Sequence, residues 1–251
     1  GEGVVYHALH NRALGSPYGI KAVLTLAPVD FNRKVLTNTA LMNIAPYCDG
    51  DVSNLQGVHF YDDARYRDTT DETPKHNIVM LGANHNFFNT VWTPGSYIAG
   101  TADDWNGVYG SSDPHCGLGR PGNKRYDTGM QKKAFNTYGC AFFKTYIGHD
   151  TSYAPILNVD DIIPPVSSTL DTDAVFVSYH AGRTIRLDIN RTDSVINTRN
   201  NAMDDTVTTS GLVLPSLCGG GLTSPACGIS TYASREPHKG TTSLKGLMQM
   251  K

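Results

Sequence analysis

The chain contains three short apolar runs that end in polar residues, and these runs predict the strands of a buried sheet. They occupy residues 20–30, 39–47 and 77–83. Because the runs show almost no alternation of polar and apolar positions, they are typical of parallel strands that are covered on both faces. Between the second and third runs, apolar side chains recur at every third position from Leu55 to Ala64, which predicts an amphipathic helix over residues 55–66. This alternation of strand and helix indicates the α/β class, with a mostly parallel sheet.

Two further helices flank the predicted strands. Residues 2–13 have apolar positions on one side and are followed by Gly15 as a stop signal, and residues 126–146 form a final helix that carries several aromatic side chains. Beyond residue 150 the pattern changes to scattered prolines and to alternating strands over residues 174–180 and 183–190. We therefore divide the chain into an α/β domain at residues 1–150 and a β-rich extension or small accessory domain at residues 151–251.

Composition and charge exclude several classes of partner. The 251 residues include 21 basic and 23 acidic side chains, for a formal net charge of −2 at pH 7. A nucleic-acid-binding protein carries a marked basic patch, so we expect no nucleic-acid partner. No apolar run approaches the ~18–20 residues that a membrane-spanning helix needs, so we also expect no membrane span.

The five cysteines favour an oxidising compartment. None has the CxxC spacing of a zinc site. Cys218 and Cys227 bracket a turn-rich segment that a disulfide could close, lysine is sparse relative to Asn, Thr, Ser and Tyr, and residues 190–192 match the N-glycosylation sequon. These features favour a secreted protein, the alternative being a cytosolic protein with five reduced thiols. An odd number of cysteines leaves one thiol free or pairs it with a cysteine outside this sequence.

An aspartate and a histidine follow two successive predicted strands. Asp51 lies in the loop after the second strand and His85 in the loop after the third. A hydrolytic triad needs an imidazole to accept the proton of the nucleophile and a carboxylate to orient that imidazole, and α/β-hydrolases present the acid and the base in this order. We therefore predict Asp51 and His85 as catalytic residues. The alternative is structural, with Asp49 and Asp51 in an Asx turn and His85 as a hydrogen-bonded loop residue.

Metal binding is not favoured by the other acidic pairs. The segment from Asp49 lacks the glycine and the glutamate of an EF-hand loop at the required positions. Residues 103–104 and 160–161 are paired aspartates, which we interpret as solvated turns because hard cations usually need about six or more oxygen ligands. We expect no cofactor and no metal.

The two loops that carry these residues resemble those of a known enzyme superfamily. They read Cys48-Asp49-Gly50-Asp51-Val52 and Gly82-Ala83-Asn84-His85. Both are similar to the acid and histidine loops of the α/β-hydrolases, close to the dienelactone-hydrolase-like and cutinase-like polyester esterases. Residues 26–30 resemble the strand end that follows the nucleophile helix in these enzymes. The resemblance covers residues 1–146 and implies that the α/β domain is the C-terminal part of an α/β-hydrolase catalytic domain, with Asp51 as the acid.

The same resemblance puts the nucleophile upstream of this sequence. In the family, a Gly-x-Ser-x-Gly turn directly precedes a helix, and the first five residues resemble the continuation of a Gly-His-Ser-x-Gly-Gly motif. The serine would then lie about three residues before Gly1. Within the chain, Ser16, Ser111 and Ser112 do not fit the elbow pattern. We expect the missing N-terminal part of the protein to supply the serine.

Two functions fit this sequence. The first is a secreted serine hydrolase that acts on small-molecule or polymeric carboxylic esters, with Trp92, Phe87 and Phe88 as apolar walls of the substrate pocket. The second is a non-catalytic, hydrolase-like binding or structural protein, attached through its β-rich region to a carbohydrate or another chain.

Overall fold

A mostly parallel sheet of four strands forms the centre of the described chain. The computed structural model describes residues 1–93, 104, 115–158 and 174–186. The strands β1 (Ala22–Leu26), β2 (Ala40–Pro46) and β3 (Lys75–Met80) are parallel neighbours in chain order, and β4 (Val175–His180) pairs antiparallel with β3. In this register Thr25 lies opposite Asn43, which lies opposite Asn77. The three predicted parallel strands are thereby confirmed.

Helices cover both faces of the sheet. On one face, α1 (Glu2–Ala13) and α2 (Val58–Arg67) pack on a core that includes Val5, Val23, Leu36, Leu41 and Phe60. On the other face, α3 (Thr128–Tyr146) and α4 (Ala154–Asn158) pack on a core that includes Met42, Ile44, Ile78, Phe142 and Leu157. Every residue of β2 is buried, as expected for a central strand covered on both sides. The arrangement is of the α/β class, as predicted.

The helix boundaries follow local chemistry. The α3 helix begins where the Asp127 side chain accepts a hydrogen bond from the backbone N–H of Met130 at 2.7 Å, which is a normal N-cap. The α2 helix begins at Val58, three residues later than predicted, because the preceding residues form a turn in which Leu55 adopts a positive φ of 51°. No helix in the described ranges is long and apolar enough to cross a membrane.

The sheet extends past residue 150, where the sequence pattern predicts a separate β-rich region. The strand β4 from that region joins the sheet beside β3. The strand predicted over residues 183–190 is wrong at its start, since Arg183–Ile185 forms a 3-10 turn. The reason is a tertiary contact: the backbone N–H of Arg183 donates to the carbonyl of Asp71, and Gly182 packs directly on Glu72. The remaining predictions for residues 187–251, including Cys218, Cys227 and the sequon, lie outside the described residues.

A buried histidine joins β3 to the elements of the second face. His76 is fully buried, stacks on Tyr179 of β4 and lies with its Nε2 2.8 Å from the hydroxyl of Tyr146. Its Nδ1–H donates to the carbonyl of Leu157 at 3.2 Å, so Nε2 accepts from the tyrosine hydroxyl. Burial lowers the pKa of His76 to about 3. The charge of Lys75 also lowers it, whereas the hydrogen bond to Leu157 raises it. The imidazole is therefore neutral and structural.

Candidate active site

The loops after β1, β2 and β3 meet at the carboxyl edge of the parallel strands. The loop after β2 and the loop after β3 are joined directly, since the backbone N–H of Tyr47 donates to Met80 and that of Cys48 donates to Ala83, both at 2.9 Å. Open α/β sheets usually bind ligands at this edge. Both residues of the predicted catalytic pair lie here.

His85 is held by Asp49. The Nδ1 atom of His85 lies 2.9 Å from Oδ2 of Asp49, whose side chain is only 1% exposed. The other carboxylate oxygen of Asp49 accepts hydrogen bonds from the backbone N–H groups of Asp51 at 2.9 Å and Val52 at 2.5 Å. Because an ionised carboxylate only accepts, Nδ1 carries the proton, and Nε2 of the neutral ring is left with a lone pair. A general base requires this tautomer.

Asp51 occupies a different position from the one that the resemblance implies. Its side chain is 72% exposed, and its Oδ2 lies 3.6 Å from Nε2 of His85, beyond hydrogen-bond distance. The structure thus brings Asp51 close to His85, but at the ring nitrogen that faces away from Asp49. The orienting position belongs to the carboxylate two residues earlier. The Asx turn considered above is also present, because the same Asp49 side chain caps the turn and holds the histidine.

The charges around His85 favour its protonated form. Burial lowers the pKa of His85, but the hydrogen bond and charge of Asp49, together with the charges of Asp51 and Asp104, outweigh burial and leave the pKa raised above its ordinary value of 6.5. The side chain is 19% exposed, so the ring remains reachable from solvent. An imidazole of this kind accepts a proton readily and is stabilised once it carries the charge.

A third carboxylate, Asp104, bridges the two loops. Its Oδ2 accepts from the backbone N–H groups of Gly50 at 2.7 Å and Asp51 at 3.2 Å, and its Oδ1 accepts from that of His85 at 3.1 Å. Burial raises the pKa of Asp104, and the charge of Asp49 raises it further. The hydrogen bond from Gly50 and the interactions with His85 lower it, but by less. Residue 104 does lie in a turn, as predicted, but its carboxylate is partly buried and binds the two loops instead of standing in solvent. Nothing in the local sequence pattern indicates its role, since its partners lie far away along the chain.

A disulfide fixes the residue next to Asp49. Cys48 is bonded to Cys116, with a Cα–Cα distance of 5.5 Å and a separation of 68 positions along the sequence. Both cysteines are buried, whereas Cys140 is free and exposed. A disulfide of this kind is compatible with an oxidising compartment. The sequence offers no means of choosing this pair among the five cysteines.

Helix α3 positions the residue before His85. The side-chain amide of Gln131 forms two hydrogen bonds with the backbone of Asn84: its oxygen accepts from the N–H at 3.0 Å and its nitrogen donates to the carbonyl at 2.6 Å. The Asn84 side chain in turn accepts from the backbone N–H of Phe87 at 3.0 Å. All of these groups are buried. The histidine loop is therefore held by the body of the domain.

One of the three predicted pocket aromatics lies beside the histidine. The Trp92 ring lies with its centroid 6.2 Å from that of His85, and the side chain is 39% exposed. Phe87 is buried, and Phe88 packs edge-on against Phe135 of α3. Trp92 therefore provides exposed apolar surface beside the His85 ring, whereas Phe87 is buried and Phe88 packs against the core.

The N-terminus of α1 lies at the same edge of the sheet. Gly1 packs so closely on Pro28 and on the carbonyl of Leu26 that a side chain there would collide with them, and Glu2 accepts a hydrogen bond from the backbone N–H of Phe31 at 3.0 Å. A small pocket at the ends of β1 and β2 is lined by Ala27, Pro28, Ala45, Pro46, Asp49 and Val52, among others. Ser16, in contrast, follows the opposite end of α1. Ser111 and Ser112 lie outside the described residues.

Two negative findings complete the description of the site. Within the described ranges, no group of three or more His, Cys, Asp or Glu side chains is arranged to hold a metal ion. A scan against models of known protein families and a search of curated proteins found no match to this chain.

Proposed function

We propose that this chain carries the acid and the base of a secreted serine hydrolase of the α/β-hydrolase fold, acting on carboxylic esters. The observation that carries the proposal is the buried Asp49 carboxylate, bonded to Nδ1 of a partly exposed His85 at the carboxyl edge of parallel strands. In the proposal, Asp49 replaces Asp51 as the orienting acid. The reason is that only Asp49 forms the hydrogen bond that selects the tautomer a base needs.

The position of α1 supports a nucleophile just before Gly1. In α/β-hydrolases the catalytic serine occupies a sharp turn between a strand and the helix that follows it. The first residues of α1 lie against Leu26 and Pro28, at the edge that also carries Asp49. The proposal therefore assigns the serine to the part of the protein that precedes this sequence.

The proposed reaction has two halves, acylation and deacylation of the serine, and His85 and Asp49 act in the same way in both. Nε2 of His85 removes the proton from the serine hydroxyl as its oxygen attacks the ester carbonyl, and backbone amides stabilise the resulting oxyanion. The imidazolium is stabilised by Asp49 and then donates its proton to the leaving alcohol. Water repeats the sequence on the acyl-enzyme, which releases the acid and restores the serine. No cofactor takes part.

The surroundings of His85 support an ester with an apolar part, either a small molecule or a polymer. Trp92 presents an exposed aromatic surface beside the ring, and apolar surface next to the reacting groups favours apolar substrate segments. The Cys48–Cys116 disulfide next to the acid supports the assignment to an extracellular protein.

Labelling of the full natural protein with a fluorophosphonate probe tests the proposal. We expect the wild type to react covalently and His85→Ala to react at least 100-fold more slowly, because the serine then lacks its base. The matched control is His7→Ala, which removes an exposed histidine from α1. Labelling of His85→Ala at the wild-type rate would contradict the proposal. Complete absence of labelling and ester turnover in the wild type would favour the non-catalytic binding protein instead.

A further inference from the structure

We propose that Asp104 is a positioning residue that sets the geometry of the Asp49–His85 pair by binding the backbones of both loops at once. The inference rests on the proposed function for its effect on turnover. Its structural content, that one carboxylate fixes two loops relative to each other, stands on the geometry alone and is tested separately.

The hydrogen bonds divide between the two oxygens of the carboxylate. Oδ2 accepts from the N–H groups of Gly50 and Asp51 in the acid loop, and Oδ1 accepts from that of His85 in the histidine loop. Asp49 precedes Gly50 directly, so the residues bound by Asp104 are the immediate neighbours of the acid and the backbone of the base. A change in the position of Asp104 therefore changes the distance between Asp49 and His85.

The absence of a side chain at Gly50 permits this contact. A Cβ atom on Gly50 would overlap the backbone carbonyl of Asp104. Because that neighbour is backbone, it cannot rotate out of the way as a flexible side chain would. Glycine at this position is therefore required for Asp104 to approach the acid loop closely enough to accept its N–H groups.

The charge of Asp104 also acts on the base. Among the described residues, the charged groups that face His85 are Asp49 at Nδ1, Asp51 on the side of Nε2 and Asp104 at its backbone. All three favour the imidazolium. We expect removal of any one of these charges to lower the pKa of His85, whereas replacement of a purely structural residue should leave that pKa unchanged.

Asp104→Asn and Asp104→Ala in the full natural protein test the inference. Asparagine keeps one acceptor oxygen and turns an NH2 group towards the other N–H donors, so one loop loses its partner, whereas alanine releases both. We expect kcat for a p-nitrophenyl ester to fall roughly 10- to 100-fold, with KM changed less than about 3-fold, because the pair is misplaced while the substrate surface remains. Hydrogen–deuterium exchange should accelerate over residues 47–52 and 83–88.

NMR titration of the histidine ring gives a readout that does not depend on catalysis. In Asp104→Asn the midpoint for His85 should fall by roughly half a pH unit, since a nearby negative charge is lost. Asp150→Asn is the matched control, with the same loss of formal charge at an exposed aspartate after α3, and should leave exchange over these segments and the His85 midpoint unchanged. Gly50→Ala should accelerate exchange over the same two segments while Asp104 is retained. This second variant keeps the inference testable if the Asp104 variants fail to fold.

The outcomes separate this inference from the proposed function. Wild-type exchange rates and an unchanged His85 midpoint in Asp104→Asn would overturn the positioning role, even if the wild type is an active hydrolase. A wild type without fluorophosphonate labelling would overturn the proposed function, yet faster exchange and a lower midpoint in Asp104→Asn would still support the positioning role.

Discussion

His85 donates its Nδ1–H to Asp49, 2.9 Å away. The loop motif indicates Asp51 as the acid, two positions after Asp49. The difference follows from the turn between them. Asp49 points into the protein, where it caps the backbone of Asp51 and Val52, and this same turn directs the Asp51 side chain into solvent. A buried acid exchanges few hydrogen bonds with water, so its orientation of the histidine is stable.

The two aspartates should respond very differently to the loss of charge. Asp49→Asn presents an amide that can stabilise the wrong tautomer of His85, so we expect kcat/KM for ester hydrolysis to fall by roughly 10³- to 10⁴-fold. Asp51→Asn should cost less than about 10-fold, because Asp51 does not hydrogen-bond to the ring. Steady-state kinetics with a p-nitrophenyl ester measures both. Equal losses in the two variants, or a larger loss in Asp51→Asn, would return the acid role to Asp51.

The acid limb of the pH profile should report His85. Because its pKa is raised, the ring is protonated, and inactive as a base, up to a pH above the ordinary midpoint of 6.5. The kcat/KM profile should therefore rise with pH with a midpoint above 6.5, and Asp51→Asn should move that midpoint to lower pH by removing one of the charges that favour the imidazolium. The control is His7→Ala, which removes an exposed histidine of α1 and should leave the midpoint of the profile unchanged. A midpoint below 6.5 in the wild type would contradict the electrostatic description of the site.

The Cys48–Cys116 disulfide should stabilise the fold and the acid loop. In the chain-entropy description, a crosslink that closes a loop of this size contributes about 4 kcal/mol to the free energy of unfolding. We expect the double substitution of both cysteines by serine to lower that free energy by several kcal/mol in urea denaturation, with activity lost in parallel. Cys140→Ser should change it by less than about 0.5 kcal/mol, because that thiol is exposed and unbonded. Equal stability of the double variant and wild type would show that the crosslink contributes nothing.

His76 should make the protein less stable in acid. Its folded pKa of about 3 lies below the unfolded value of 6.5, so the unfolded chain binds more protons between these values. The free energy of unfolding should therefore decrease as pH falls below 6.5, at roughly 1 kcal/mol per pH unit from this residue. His76→Gln, whose amide can still hydrogen-bond to Tyr146, should show a weaker decrease between pH 6.5 and 4. An identical pH dependence in the variant would contradict the assignment of a buried neutral imidazole.

Most of the sheet and its helices could be predicted from the sequence. The apolar runs of β1, β2 and β3 and the periodicity of α1, α2 and α3 report burial on one or both faces, which is a local property of each segment. The order of Asp and His after successive strands also places them at one edge, because parallel strands end together. These features require no knowledge of how distant segments pack.

The choice among nearby carboxylates could not be predicted in this way. Asp49 and Asp51 have the same chemistry and flank one glycine, and only the path of the turn decides which of them is buried against His85, 36 positions away from Asp49. Asp104 comes from an irregular stretch and meets Gly50 across 54 positions. The pairing of β4 with β3 and of Cys48 with Cys116 likewise depends on contacts between segments that are far apart in the sequence.

The sequence by itself determined the α/β class, the parallel strands with their covering helices, and the edge at which an acid and a base meet. The tertiary structure alone decided which aspartate holds His85, which third carboxylate binds both loops, and which strand pairs with β3. The physical reason is the sequence separation of the interacting groups. Hydrophobic periodicity is set within a single segment. These hydrogen bonds and the disulfide join atoms of different segments, which come within bonding distance only once the chain has packed.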